Sequence, residues 1–242
     1  MILGQPDPEV PQFPPMFRGE PLRANLDPFS KAISSAMRGI DPGLIVWSED
    51  KNTAKAALVL APEEPLETAI GAMFAAFLGL SDSLGALAPP EVAVHFQWPN
   101  RIKVNGGLCG RIKIAADTTI PQQEPNWIVI GIELPLLPDH EYEPGDSPIQ
   151  TTLVEEGCGE ITRTQLIEGW SRHTLVWINR YVDDGFAPLH AAWRSKCDSL
   201  GEPIEIPRKG VFMGLDELGG MLLKDDDGTH IIPLTQQLEA TA

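Results

Sequence analysis

The sequence predicts an α+β fold: a mixed, mostly antiparallel sheet with helices packed on one face, followed by a small C-terminal β unit. Two observations carry this. Four stretches repeat apolar residues at helical spacing, while others alternate or form short apolar runs joined by hairpin signals. The tail from Pro203 onward holds short strands punctuated by Gly214, Gly219 and Asp227-Gly228. With 242 residues, the chain is long enough for one large domain and a small appendage.

Residues 1–24 carry Pro6, Pro8, Pro11, Pro14, Pro15 and Pro21, which remove backbone donors. An extended arm is expected there, rather than an element, pinned by Phe13, Met16, Phe17 and Leu22. The main domain covers 25–202. Asp27 is a good N-cap for its first helix and Pro28 suits the first helical position. Phe29, Ala32, Ile33, Ala36 and Met37 form the apolar repeat, and Gly39 ends it. Residues 43–47 read as a strand, 48–55 as a polar loop and 56–60 as a buried strand. Pro65 opens a second helix with Leu66, Ala69, Ile70, Met73, Phe77 and Leu78 on one face.

Val92, Val94, Phe96 and Trp98 alternate, as in a half-buried strand. Residues 127–132 are apolar on both faces, as a central strand requires. Residues 137–150 form an acidic loop. A third helix spans about 162–184 and a fourth 188–200; Trp170, Trp177, Tyr181 and Trp193 on them suit core packing. Residues 203–242 form the small β unit, with strands around 203–206, 210–213, 220–224 and 230–234, arranged as a mini-barrel docked on the main body.

Composition excludes several functions. Hydrophobic residues make up 43%, a normal share for a packed core. Acids outnumber bases 34 to 18, and the net charge of -16 repels nucleic acid and anionic membrane surfaces. No apolar run is expected to cross a bilayer, and the first residues lack a signal-peptide pattern. Cys109, Cys158 and Cys197 are too scattered for a disulfide framework, so reduced thiols in a cytoplasm are expected. His95, His140, His173, His190 and His230 lack metal-ligand spacing. The run from Lys224 to Gly228 has the wrong spacing for calcium and reads as a solvated turn. Arg172 and His173 near Glu168 read as a helix-surface salt bridge.

The most informative stretch is 98–113, a β-hairpin around Asn105-Gly106-Gly107. A three-residue loop would pair Val104 with Leu108 and Ile102 with Gly110. One face is then apolar; the other carries Arg101, Lys103, Cys109, Arg111 and Lys113. Arg101 opposite Arg111 is destabilising unless something compensates. Either the patch is an anion site for a carboxylate or phosphate, or neighbouring acids neutralise it, or it guards a sheet edge. Gly110 inside a strand marks either a ligand lying over Gly110 and Ile112 or a β-bulge.

These residues resemble the biotin/lipoate protein ligase family. Trp98-Pro99-Asn100 is similar to that family's Lys-Trp-Pro-Asn-Asp segment, and Leu108-Cys109-Gly110-Arg111-Ile112 to its Lys-Leu-Ala-Gly-Ile-Leu strand. Ile130-Gly131-Ile132-Glu133-Leu134 resembles the later Gly-Ile-Gly-hydrophobic-Asn strand. Thr151-Thr152-Leu153-Val154-Glu155-Glu156 resembles Thr-Ser-Leu-x-Glu-Glu, and residues 210–223 resemble the small SH3-like C-terminal barrel. The resemblance implies a fold built for joining biotin or a lipoate-type acid (lipoate or octanoate) to AMP from Mg-ATP, then passing it to a lysine of an acceptor domain. It implies a ligand wall of Trp98, Asn100, Gly110, Ile112 and Gly131.

The chain departs from the family's pattern at chemically important places. The loop that should wrap the adenylate, 48–55, has neither glycine nor arginine. Arg101 stands for aspartate, Gly107 for the catalytic lysine, Gln97 for the lysine before Trp98, Glu133 for glycine and Pro135 for asparagine. Arg101, Lys103, Arg111 and Lys113 are the candidate catalytic replacements, with Lys51 and Lys55 as candidates for holding ATP. A thiol route, as in octanoyl transferases of related fold, would use Cys109 with its pKa lowered by Lys103 and Arg111; Cys158 among acids would be raised. Two functions follow: a ligase-like protein with altered catalytic residues, or a non-catalytic relative that binds a small acid or a protein partner.

Overall fold

The computed structural model describes residues 10–39, 41–138 and 150–240. His140 and nearly all of the expected acidic loop at 137–150 lie outside them. The main sheet has seven strands in the order β1-β2-β3-β7-β6-β5-β4. These are β1 (Arg18–Leu22), β2 (Leu44–Ser48), β3 (Thr53–Leu60), β4 (Val94–Gln97), β5 (Arg101–Val104), β6 (Gly107–Ala116) and β7 (Ile128–Pro135). Only β1–β2 is parallel. The expected arm thus contributes an element after all. Pro21 is tolerated because β1 is an edge strand, where a missing donor costs no ladder bond.

The helices are α1 (Pro28–Arg38), α2 (Leu66–Ala69), α3 (Ala72–Leu87), α4 (Arg163–Asp184) and α5 (Ala187–Ser195). The Asp27 carboxylate caps α1 by accepting from the Phe29 and Ser30 amides. Thr162 and Gln165 form a capping box at the start of α4. α3, α4 and α5 cover one face of the sheet around Trp170, Trp193, Phe74 and Phe77. Among the described residues, α1 is the helix that covers the other face, against Val46, Ala57, Val59 and Val129. Met37, placed in the apolar repeat by spacing, points to solvent.

The expected second helix is broken into α2 and α3 at Ile70-Gly71, and α3 is buried nearly all round rather than on one face. Gly79 and Gly169 allow this. A Cβ on Gly79 would meet Thr174 Oγ1 at 2.2 Å, and one on Gly169 would meet Ser83 Oγ at 2.2 Å. The stretch Leu66–Leu87 is long and apolar enough to cross a membrane, which corrects the expectation from composition; it is mostly buried, as a core helix is.

The C-terminal unit is a four-stranded antiparallel sheet in the order β11-β10-β9-β8: β8 (Pro203–Ile204), β9 (Gly210–Leu215), β10 (Met221–Asp225) and β11 (Gly228–Ile232). Phe212, Leu215, Met221 and Leu223 join the helix-side core, so this sheet shares the main domain's interior. The Trp98 indole Nε1 donates to Gly219 O at 3.0 Å and ties the hairpin to it. Asp225 faces His230 and Arg208 in the acidic turn, as a solvated turn with internal pairing. Arg172 and Glu168 form the expected helix-surface pair at 3.9 Å.

Candidate functional site

The hairpin turns on Asn105 and Gly106, both at positive φ (49° and 92°), the geometry a two-residue turn needs. Val104 pairs with Gly107 and Lys103 with Leu108; the register then shifts so that Ile102 meets Gly110 and Arg101 meets Arg111. The three-residue loop is corrected to a tight turn plus a β-bulge, with Cys109 as the extra residue. The bulge restores the alternation: Ile102, Val104, Ile112 and Ile114 all face the helix-side core. It also turns Cys109 inward, fully buried.

The thiol expectation is therefore overturned. Burial, followed by the Glu156 carboxylate, pushes the Cys109 thiol up to about 12. Lys103 is turned away and pairs with Asp198 at 2.6 Å. A buried thiol at such a pKa is inert at neutral pH. Burial and Glu156 raise Cys158 too.

The other candidates separate onto two faces. Ile112 is fully buried against the helices, and the Trp98 indole is bonded to Gly219 beside the C-terminal sheet. The Asn100 backbone carbonyl accepts from the Ile112 amide at 2.9 Å. Gly110 is explained by the backbone. Its φ is +152°, and a Cβ there would meet Glu133 O at 2.4 Å. Arg101 is exposed at the hairpin's outer face.

The face under α1 brings together Lys55, Arg111, Lys113, Gly131 and Glu133. Across three neighbouring strands Lys55, Glu133 and Arg111 lie in one row, and Ala57, Gly131 and Lys113 in the next. Glu133 accepts from Arg111 Nε at 2.9 Å and lies 3.2 Å from Lys113 Nζ. Burial alone would raise the Glu133 carboxyl, but Lys113 and Arg111 outweigh it and hold it below the usual range. Lys55 belongs to β3, not to a loop, and pairs with Asp50 at 3.3 Å. The β2–β3 connection is only residues 49–52, so Lys51 sits on a short turn. Arg111, Lys113, Lys55 and Lys103 each already face a carboxylate of this chain, which is the neutralised-patch alternative.

Phe29 closes the remaining space. Its ring lies under Lys113 Nζ at 5.8 Å, and a Cβ on Gly131 would meet its Cδ2 at 2.7 Å. The space left among Asp27, Phe29, Lys55, Lys113, Gly131 and Glu133 is about 10 Å³. That is barely one water, against about 300–1,000 Å³ for a small-molecule site. The space beside Phe29 is by itself too small for a biotin- or lipoate-type acid or an adenylate. Phe29 and Glu133 are the residues of this face that local pattern did not single out as candidates. Glu133 was visible as a departure from the family strand. Phe29 looked like any helix-face aromatic.

The fold is a mixed α+β domain with a charged, largely filled sheet face under α1, and the comparisons place it. The chain belongs to the Biotin/lipoate A/B protein ligase family, whose profile matches residues 13–195. Residues 200–240 match a domain of unknown function, DUF4444. Among relatives, the biotin–[acetyl-CoA-carboxylase] ligase of Paracoccus denitrificans is 28% identical over 196 residues, 78% of this chain and 81% of that protein. A crystal structure of a biotin protein ligase-like protein of unknown function from Silicibacter sp. TM1040 has 43% identity and a TM-score of 0.89, covering 96% of this chain and all of that one. Biotin protein ligase from Aquifex aeolicus, solved without ligand, has 17% identity and a TM-score of 0.72, covering 90% and 96%, and shares the fold.

Proposed function

We propose that this chain is a non-adenylating member of the family that works as a binding module. One observation supports the reading above the others: Phe29 and the Arg111–Glu133–Lys113 cluster fill the sheet face where Gly131 would otherwise leave room for an acid. An internal carboxylate answers the cations that would hold a phosphate, and the 49–52 turn, with Glu49 and Asp50, adds negative charge beside Lys51 and Lys55. For the domain limits, we propose a main domain that begins ahead of β1 rather than at 25, since Arg18–Leu22 pairs with β2, and a small β unit over 203–242.

The competing reading is a working ligase, favoured by the curated function of the Paracoccus relative. It requires Phe29 to swing out, an acid and Mg-ATP to enter, Arg101, Lys103, Arg111 and Lys113 to serve the acyl-phosphate, and Lys51 and Lys55 to serve ATP. An acceptor lysine on a partner domain would then take the acyl group. Incubation with ATP, magnesium and biotin, lipoate or octanoate separates the two. Pyrophosphate release at background level, with no acyl-adenylate by mass spectrometry, is expected. Acid-dependent pyrophosphate release that Arg111→Ala abolishes would establish the ligase reading instead.

A further inference from the structure

A second concavity lies on the opposite, helix-side face, far larger than the space beside Phe29. This cleft, of about 850 Å³, is bounded by the end of β3, α2, the start of α3, the C-terminal half of α4 and the β9–β10 turn. Its floor is apolar, with Leu60, Ala72, Ile178 and Phe186. Its rim carries Glu63, Glu64, Glu67 and Glu217, and among the described residues no lysine, arginine or histidine lines it. Three large apolar side chains of the rim stand in solvent: Met16 is 73% exposed, Val182 77% and Leu218 43%. Tyr181 is fixed in the wall, donating to Thr68 O at 2.6 Å, and burial followed by the Glu64 carboxylate pushes its hydroxyl up to about 12.

Neither half of this pattern is needed by the fold. The floor would be satisfied by shorter side chains at the rim, and four carboxylates around an apolar trough repel one another without a counter-charge. Exposed apolar residues standing around a concave apolar floor are the signature of a surface that is covered part of the time. We propose that the cleft receives a basic amphipathic helix of a partner protein, its apolar side on Leu60, Ile178 and Phe186 and its lysines or arginines against Glu63, Glu64, Glu67 and Glu217. A helix fits better than a small cation because Met16, Val182 and Leu218 rise outside the trough, where only an extended ligand covers them. The inference takes up the binding-module reading and gives its partner a chemistry.

The test uses the full chain and a fluorescent Leu/Lys peptide with leucines at i, i+3, i+4 and i+7. Two probes accompany it: the same composition scrambled, and a Leu/Glu version. Saturable binding is expected for the amphipathic Leu/Lys peptide, weaker by about tenfold for the scrambled one and lost for Leu/Glu. The combined Glu63→Gln, Glu64→Gln, Glu67→Gln variant should weaken binding about tenfold, as should Val182→Ser with Leu218→Ser. A charge-matched control at exposed sites outside the cleft, Glu91→Gln, Glu202→Gln and Asp226→Asn, should leave it unchanged. Equal loss in the control would reduce the effect to net charge and overturn the proposal. So would equal affinity for the scrambled peptide, or spermine displacing the peptide as well as the peptide displaces itself. Circular dichroism of each variant verifies folding. Peptide binding and pyrophosphate release report on opposite faces of the sheet, so either reading can fail alone.

Discussion

Glu133 is the residue on which the sheet face under α1 is balanced. It sits where two like-charged residues, Arg111 and Lys113, would otherwise stand within one another's field. Its carboxyl is held below the ordinary value, so its stabilising contribution is complete above the unfolded value of about 4.3 and disappears as pH falls through the lower folded value. Glu133→Gln is expected to cost about 1–2 kcal/mol at pH 7 and to make the acid limb of the stability profile shallower below about pH 4.3. Urea unfolding from pH 7 to pH 2.5 checks this; an unchanged acid limb would remove the residue from the account. Its identity was readable in the sequence, but its partners were not, because they lie on β6 while Glu133 lies on β7.

Among the elements, the α3–α4 pair shows how close packing is bought by omission of side chains. Gly79 faces the Thr174 backbone and hydroxyl, and Gly169 faces Ser83. Gly79→Ala must push the helices apart or displace Thr174, at a cost of about 1–3 kcal/mol. A fall in the urea midpoint with unchanged slope is the expected outcome; a gain in stability would mean that α3 and α4 are free to slide. The start of α1 was well marked by local chemistry, through Asp27-Pro28. The need for glycine at 71 was not, because the reason lies elsewhere: a Cβ there would meet the Tyr181 hydroxyl at 2.7 Å. The hairpin register failed for a similar reason. An Asn-Gly turn followed by a bulge and a three-residue loop give the same inward face for Ile102 and Ile112, and differ only in the partners of Lys103, Val104, Gly107, Leu108 and Cys109.

At the scale of the whole molecule, the C-terminal sheet belongs to the core of the main domain. Phe212, Leu215, Met221 and Leu223 are buried there, and Gly219 packs against Phe74 and Phe186. A chain ending at Gly201 is expected to lose its cooperative thermal transition, since it uncovers these contacts and frees the Trp98 indole. An unshifted transition by circular dichroism would show that the sheet is a separate appendage. The sequence by itself determined the fold class, the placing of most helices and strands and the double-sided burial of β7. Each of these is written in local periodicity, capping residues or short motifs. Only the tertiary structure decided that the arm supplies an edge strand, that Cys109 points inward, that Lys55 lies in a strand and that Phe29 packs against Gly131. The physical reason is common to all four. A side chain's periodicity fixes which face it takes on its own element, whereas the space in front of it and the charge beside it are set by residues far along the chain.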